Sequence, residues 1–236
     1  MRSTLSCCGN SCCASAVSSE GTKLDARVSQ GDIAHVYDRL SGVYDIWGTL
    51  TESRARRRAI ELAAIEDGQH ILEVAVGTGL AFYEIVKRNP RGSNIGIDLS
   101  PGMLEKAKQR LCALSGSNYA LSTGTAFDLH MDTGSIDLLM NNYMFDLIPV
   151  EDMDKVLAEF KRVLKPGGKL VLVNMTEGRS FGSTLYDRIY QLSPRTMGGC
   201  RGVRMTEKLK QHGFMVEARE YHQQMLFPSE VIIAHT

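Results

Sequence analysis

The feature that most restricts the fold is a junction near the first third of the chain. The strand-like run His70–Val76, apolar in its interior except for Glu73, leads directly into Gly77-Thr78-Gly79 and then into the helix-period segment Leu80–Arg88. A short apolar run of this kind reads as a strand buried on both faces, the pattern of a parallel sheet. Glycines in the turn let backbone approach a ligand, and the helix N-terminus offers free N–H groups to it. Asn89-Pro90 stops the helix.

Strands and helices then alternate. Ser93–Leu99 reads as a strand, and Ser100-Pro101 supplies an N-cap and a first-turn proline. The helix that follows aligns Met103, Leu104, Ala107, Leu111 and Leu114 on one face. Asn118–Ser122 and Ser135–Asn141 are strands, Glu151–Leu164 is an amphipathic helix, Lys165-Pro166-Gly167-Gly168 is a turn and Lys169–Asn174 is a strand. Thr206–His212 is a short helix, and Phe214–Tyr221 with Gln224–Ala234 forms a closing antiparallel pair at one edge. Upstream, Ile33, Val36, Tyr37 and Leu40 recur at helical spacing, Tyr44, Ile46 and Trp47 mark a short segment, and Thr51 caps a helix over Arg54–Ile65 that Gly68 ends. The expected fold is α/β: a doubly wound, seven-stranded sheet, mostly parallel with an antiparallel C-terminal hairpin.

Composition narrows the function. Apolar residues make up 43% of the chain, enough for a sizeable core. Lys+Arg and Asp+Glu balance at 27 each and aromatics reach only 7%, which excludes a dedicated nucleic-acid binder. No apolar run approaches the ~18 residues of a membrane span. Residues 1–28 read as a mobile Cys/Ser-rich tail, and residues 29–236 as a single domain. Cys7, Cys8, Cys12 and Cys13 lie in that tail, and the first nineteen residues hold six serines and no acidic residue. The tail lacks the apolar stretch of a secretory signal. Its paired cysteines do not match a zinc knuckle. They leave open soft-metal or metalloid binding, acylation, organelle targeting, or no function. The expected location is cytoplasmic, with targeting by the tail as the alternative.

Asp98 closes the strand after the glycine turn, 19 residues beyond Gly79. A carboxylate there can accept both hydroxyl protons of a ribose. The ribose is not expected to be that of a dinucleotide, because the position of a third glycine is filled by Phe82.

Taken together, the motifs resemble those of class I S-adenosylmethionine-dependent methyltransferases, from about residue 35 to 234. Leu72-Glu73-Val74-Ala75-Val76-Gly77-Thr78-Gly79 is similar to the family's first motif, and Gly96-Ile97-Asp98-Leu99-Ser100-Pro101-Gly102-Met103-Leu104 to its second. Arg162-Val163-Leu164-Lys165-Pro166-Gly167-Gly168-Lys169-Leu170 resembles the turn before the fifth strand. Tyr37-Asp38-Arg39-Leu40-Ser41-Gly42-Val43-Tyr44-Asp45 resembles the N-terminal tyrosine motif of ubiquinone/menaquinone-biosynthesis and bacterial phosphatidylethanolamine N-methyltransferases. The chain departs from the pattern twice. Ala75 stands where the family usually has glycine, and Gly124-Thr125-Ala126 stands where it usually has Asp-Ala after the third strand, so Thr125 replaces the acidic side chain.

The resemblance implies a Rossmann-like fold, S-adenosylmethionine as cofactor and a small-molecule methyl acceptor, lipid- or quinol-like. It assigns Glu73, Ala75, Gly77 and Gly79 to the loop beside the cofactor's methionine and ribose, and Asp98 to the ribose hydroxyls. Leu99 and Met103 would flank the adenine, with Thr125, Ala126 or Asp128 near its amine. Asn141 would stand at the mouth between cofactor and acceptor, and Tyr37 and Tyr44 would close over the cofactor. Tyr143, Asp146 and His35 are the candidate bases if the acceptor must lose a proton, and no metal site is expected. The segment Thr176–Met205 would form an acceptor lid, with Arg179, Arg188, Arg195, Arg201 and Arg204 against Glu177 and Asp187. The Arg54-Arg56-Arg57-Arg58 cluster reads as a solvated helix face that would allow peripheral contact with an anionic membrane. Two alternatives stand beside this reading: a thiol or metalloid (arsenic-type) methyltransferase using the tail cysteines, and a non-catalytic cofactor-binding regulator.

Overall fold

The computed structural model describes residues 53–114, 116–176, 202–224 and 227–236. The expected tail, the segments around Ile33–Leu40 and Tyr44–Trp47, the Thr51 cap and most of the Thr176–Met205 lid lie outside them.

The described elements run α1 (Ser53–Ala63), β1 (His70–Val74), α2 (Leu80–Arg88), β2 (Ser93–Asp98), α3 (Pro101–Leu111), β3 (Tyr119–Thr123), β4 (Ile136–Asn142), α4 (Val150–Val163), β5 (Leu164–Met175), α5 (Met205–Gln211), β6 (Met215–Gln224) and β7 (Phe227–His235). Seven strands form one sheet in the order β3-β2-β1-β4-β5-β7-β6. β1 through β5 are parallel neighbours, while β7 pairs antiparallel with both β5 and β6. The C-terminal hairpin therefore docks through its second strand and leaves β6 at the edge. Among the described residues no helix is long and apolar enough to cross a membrane.

Strand alternation sorts the core into two layers. Ile71, Met140, Val171, Val173, Val231 and Ile233 face α1, α2 and α3, packed against Ala59, Phe82, Ile85 and Ala107. Leu72, Val74, Leu139, Leu172 and Ile232 face the other way, against Met153, Val156, Phe160 and Leu209 of α4 and α5. Because both faces are covered, the central strands read as continuous apolar runs rather than alternating ones.

Local chemistry sets the boundaries. Ser100 caps α3 as expected: its Oγ accepts from the Met103 N–H at 3.1 Å. β1 stops at Val74, two residues before its expected end, because Ala75 turns to a φ of 61°. The expected Lys165–Gly168 turn is instead a bulge inside β5. The β4–β5 register steps from Ile136↔Leu164 to Leu138↔Lys169, and Gly167 at φ 74° takes up the surplus chain. Phe82, which excludes a third glycine, is fully buried and packs edge-on against Tyr119. Gly96 compensates across the sheet, since a Cβ there would lie 3.1 Å from the Phe82 ring.

Asn89, read only as a helix stop, is a buried tie at the amino end of the sheet. Its Oδ1 accepts from the Gly68 N–H at 2.7 Å, and its Nδ2 donates to the Gln69 carbonyl and Asn94 Oδ1, both at 2.9 Å. Asn94 in turn donates to the Asn118 carbonyl, which joins β1, β2 and the start of β3. Asn89→Ala strands the buried Asn94 Oδ1, whereas the exposed Gly68 N–H can turn to water. At about 1–3 kcal/mol for an unsatisfied buried group, it should destabilise the fold by roughly 1–3 kcal/mol in urea denaturation.

Candidate active site

The order of the sheet reverses between β1 and β4, and the crevice beyond their carboxyl ends is where doubly wound folds bind ligands. The chain leaves β1 there through Ala75, Gly77 and Gly79, at φ 61°, 57° and 80°. Gly79 must lack a side chain, since its Cβ would meet Ala107 of α3 at 3.0 Å. A Cβ on Gly77 would meet nothing, because that residue faces open space. Ala75 carries its methyl group in the left-handed region, which costs an L-residue roughly 1–2 kcal/mol. This is the physical reason for the glycine usual at that position.

Asp98 holds the loop. Its Oδ2 accepts from the Gly77 N–H at 2.7 Å and its Oδ1 from the Ser100 N–H at 2.9 Å. The carboxylate thus joins the β1–α2 and β2–α3 loops while lining a cleft of about 920 Å3 of solvent-open space. Leu99, Met103, Ala126 and Ile97 give that cleft apolar walls.

A second hollow of about 410 Å3 lies on the other side of the loop, and Ala75, Gly77, Asn142 and Tyr143 line both. Here Glu73 is fully buried, with Oε1 accepting from Asn142 Nδ2 at 2.9 Å. Glu73 Oε2 and Asn142 Oδ1 are buried without a hydrogen-bond partner. Burial pushes the Glu73 carboxyl up to about 8, against the opposing pull of the Asn142 amide and the Arg56 charge.

The sequence-based candidates separate clearly. Glu73, Ala75, Gly77, Asp98, Leu99, Met103, Thr125, Ala126 and Tyr143 are brought together around the two spaces. Gly79 supports the loop from behind through its contact with α3. Thr125 lines the cleft while its Oγ1 accepts from the Phe127 N–H at 3.3 Å. Asp128 is not among the cleft-lining residues. Asn141 is buried beside the cleft, its Nδ2 donating to the Val74 carbonyl at 2.8 Å, which locks the tip of β4 to β1. Asp146 is buried away from both spaces, and both its oxygens accept from the Met175 N–H at 3.0 Å. Tyr143 has a φ of 54° and shares a 2.9 Å hydrogen bond with Ser229 Oγ. Tyr37, Tyr44 and His35 lie outside the described residues.

Sequence reasoning missed Asn142 and Arg56 as lining residues, along with Phe127 and Ile148. The signal for Asn142 was strand parity. In the β1–β4 register Asn141 pairs with Val74, so Asn142 falls on the Glu73 side of the sheet. That register is a tertiary fact.

With this geometry in place, comparison with known proteins is informative. Residues 71–168 match the family model described as a methyltransferase domain. The demethylmenaquinone methyltransferase of Thermus thermophilus is 31% identical over 159 residues, covering 67% of this chain and 70% of the relative. That of Tropheryma whipplei is 29% identical over 163 residues, covering 67% of this chain and 65% of the relative, just under two thirds of its length. Among solved structures, the geranyl diphosphate C-methyltransferase of Streptomyces coelicolor, bound to geranyl diphosphate and S-adenosyl-L-homocysteine, superimposes with a TM-score of 0.63. It is 14% identical and covers 78% of this chain and 79% of that one, a likeness of fold alone. The chain belongs to the class I S-adenosylmethionine-dependent methyltransferases, and resembles the ubiquinone/menaquinone-biosynthesis group within them.

Two outcomes are expected. Ala75→Gly removes left-handed strain at some entropic cost in the unfolded chain, and should raise unfolding free energy by about 0.5–1 kcal/mol. Glu73 has a folded-state pKa above its unfolded value, so its contribution to stability is complete below about 4.5 and is lost as pH rises through about 8. Unfolding free energy of the ligand-free wild type should therefore fall across that window relative to Glu73→Gln, by up to ~1.4 kcal/mol per pH unit. Parallel pH slopes for the two proteins would contradict the assignment.

Proposed function

We propose that the chain transfers a methyl group from S-adenosylmethionine to a small-molecule acceptor of the quinol type. The observation that carries this reading is the pairing of two unlike spaces across one loop. One is an apolar cleft with a carboxylate at its edge, and the other a small hollow with unpaired acceptors.

The residues fit that cofactor. Asp98 lines the cleft at the tip of β2, where a carboxylate suits the hydroxyls of a ribose diol. Leu99, Met103 and Ala126 offer apolar surface for a purine, and Thr125 a hydroxyl for its amine. Glu73 Oε2 and Asn142 Oδ1 are buried acceptors lacking a donor, and an ammonium group would satisfy both. No part of the loop is built for a pyrophosphate.

When bound, S-adenosylmethionine supplies a methyl group on a sulfonium, whose departure as a neutral thioether needs no acid. The protein's task is then alignment and exclusion of water. Positioning of this kind lowers barriers by up to ~7–11 kcal/mol in well-oriented systems. Ile97, Leu147, Ile148 and Phe127 give the cleft apolar walls. Tyr143 borders both spaces at the tip of β4, with its ring held by the bond to Ser229. Of the two candidate bases among the described residues, Tyr143 and Asp146, it is the one in this position, and we assign it to orienting the acceptor. The acceptor class is supported by the relatives named demethylmenaquinone methyltransferases.

Two measurements test the proposal. Calorimetry should show binding of S-adenosylmethionine and S-adenosylhomocysteine but not NAD. Asp98→Ala should lose about 1.5–3 kcal/mol of that affinity, the range for hydrogen bonds to a charged group. Methyl transfer from labelled cofactor should be greatest to a demethylated quinol in a panel that also holds amines, thiols and arsenite. Turnover confined to thiols or arsenite, or binding with no turnover on any acceptor, would overturn the acceptor assignment.

A further inference from the structure

Strand alternation sends Leu138 and Met140 of β4 into the layer that packs on α1, α2 and α3, and Leu139 into the other. Continued past Asn142, it would send Tyr143 into the Leu139 layer. Tyr143 belongs to the Met140 layer, because its φ of 54° takes the chain out of strand alternation. A left-handed conformation is strained in so bulky a residue, and it persists only where surrounding contacts fix it.

Two contacts fix this one. The Tyr143 N–H donates to the Val173 carbonyl of β5 at 2.7 Å, and the phenol shares its 2.9 Å hydrogen bond with Ser229 Oγ of β7. Both side chains are buried, so their bond forms in a low-dielectric setting that strengthens it. Ser229 is itself held inside the sheet, between Met175 of β5 and His222 of β6. By alternation it shares a face of β7 with Val231 and Ile233, which belong to the layer that Tyr143 has entered. The left-handed turn is therefore what brings the phenol to Ser229, and the bond to Ser229 helps to hold that turn.

Tyr143 lines both spaces beside the loop, and Ser229 is not among the lining residues of either. Its route to a bound ligand is through Tyr143. A tyrosine has two side-chain torsions, and tying down the far end of the ring fixes both before a ligand arrives. Positioning groups gain most from being ordered in advance in this way.

We infer that Ser229 is a positioning residue for methyl transfer: its hydroxyl presets the Tyr143 ring at the border of the two spaces, and so brings the C-terminal strand into the reaction. The inference rests on the methyl-transfer reading above and on the place given there to Tyr143. Nothing in the sequence marks Ser229, which stands 86 residues from its partner.

The test is the single-turnover rate of methyl transfer, at saturating cofactor, to the best acceptor of the panel above. Ser229→Ala and Tyr143→Phe each delete one hydroxyl of the pair and should each lower that rate by roughly 3–10-fold, the equivalent of one hydrogen bond. The double variant should be no slower than either single one, since the bond can be lost only once. Ser229→Thr keeps a hydroxyl and should recover most of the loss. Calorimetry should find the affinity for S-adenosylhomocysteine unchanged in all four variants. A Ser229→Ala protein with the wild-type rate, or losses that multiply in the double variant, would overturn the positioning role and leave the methyl-transfer reading intact. A matching loss of cofactor affinity would also overturn it, by marking the pair as structural. A wild type that transfers a methyl group to no acceptor would overturn both.

Discussion

The site depends on one carboxylate. Asp98 accepts hydrogen bonds from the Gly77 and Ser100 N–H groups, and so joins the two loops that leave β1 and β2. The clamp acts with the Val76 N–H bond to the Ile97 carbonyl and the Arg110 Nε bond to the Thr78 carbonyl, which also hold the loop. The clamp also explains why a buried anion is tolerated at the rim of an apolar cleft: backbone donors satisfy part of its hydrogen-bonding demand.

Around that clamp several unfavourable features border the two spaces. Ala75 and Tyr143 are non-glycine residues in left-handed backbone, and both border the two spaces. Glu73 Oε2 and Asn142 Oδ1 are buried and unpaired on the same wall. Such defects cost of order 1–3 kcal/mol each and concentrate at functional sites because stability elsewhere offsets them. The apolar layers of α2, α3 and α4 against the central strands provide that offset. At the opposite end of the sheet the Asn89–Asn94 tie is matched, while Asn174 and Glu230 also carry buried side-chain atoms without a hydrogen-bond partner.

Much of this was legible in the sequence, because it rests on local chemistry. Ser100-Pro101 marked the start of α3, and the apolar runs marked strands buried on both faces; the strand-tip position of Asp98 marked it as a site candidate, but not its hold on the two loops. Features that depend on register were not legible. That Asn142 rather than Asn141 would share a wall with Glu73 follows from the pairing of β1 with β4. Asp146, a candidate base from its place after β4, instead spends both oxygens on the Met175 N–H, a contact 29 residues away in sequence. The arginine run looked uniform because sequence gives no phase for α1 relative to the sheet. The Lys165–Gly168 turn became a bulge because the flanking residues stayed in one ladder with β4.

The central claim is that the two spaces on either side of the Ala75–Gly77 loop hold the two ends of one adenosyl ligand. A crystal structure of the chain grown with S-adenosylhomocysteine tests it most directly. The account predicts ribose hydroxyls on Asp98, the purine between Leu99, Met103 and Ala126, and the amino-acid end beside Glu73 and Asn142. A nucleoside bound elsewhere, or one whose amino-acid end points away from Glu73, would contradict it.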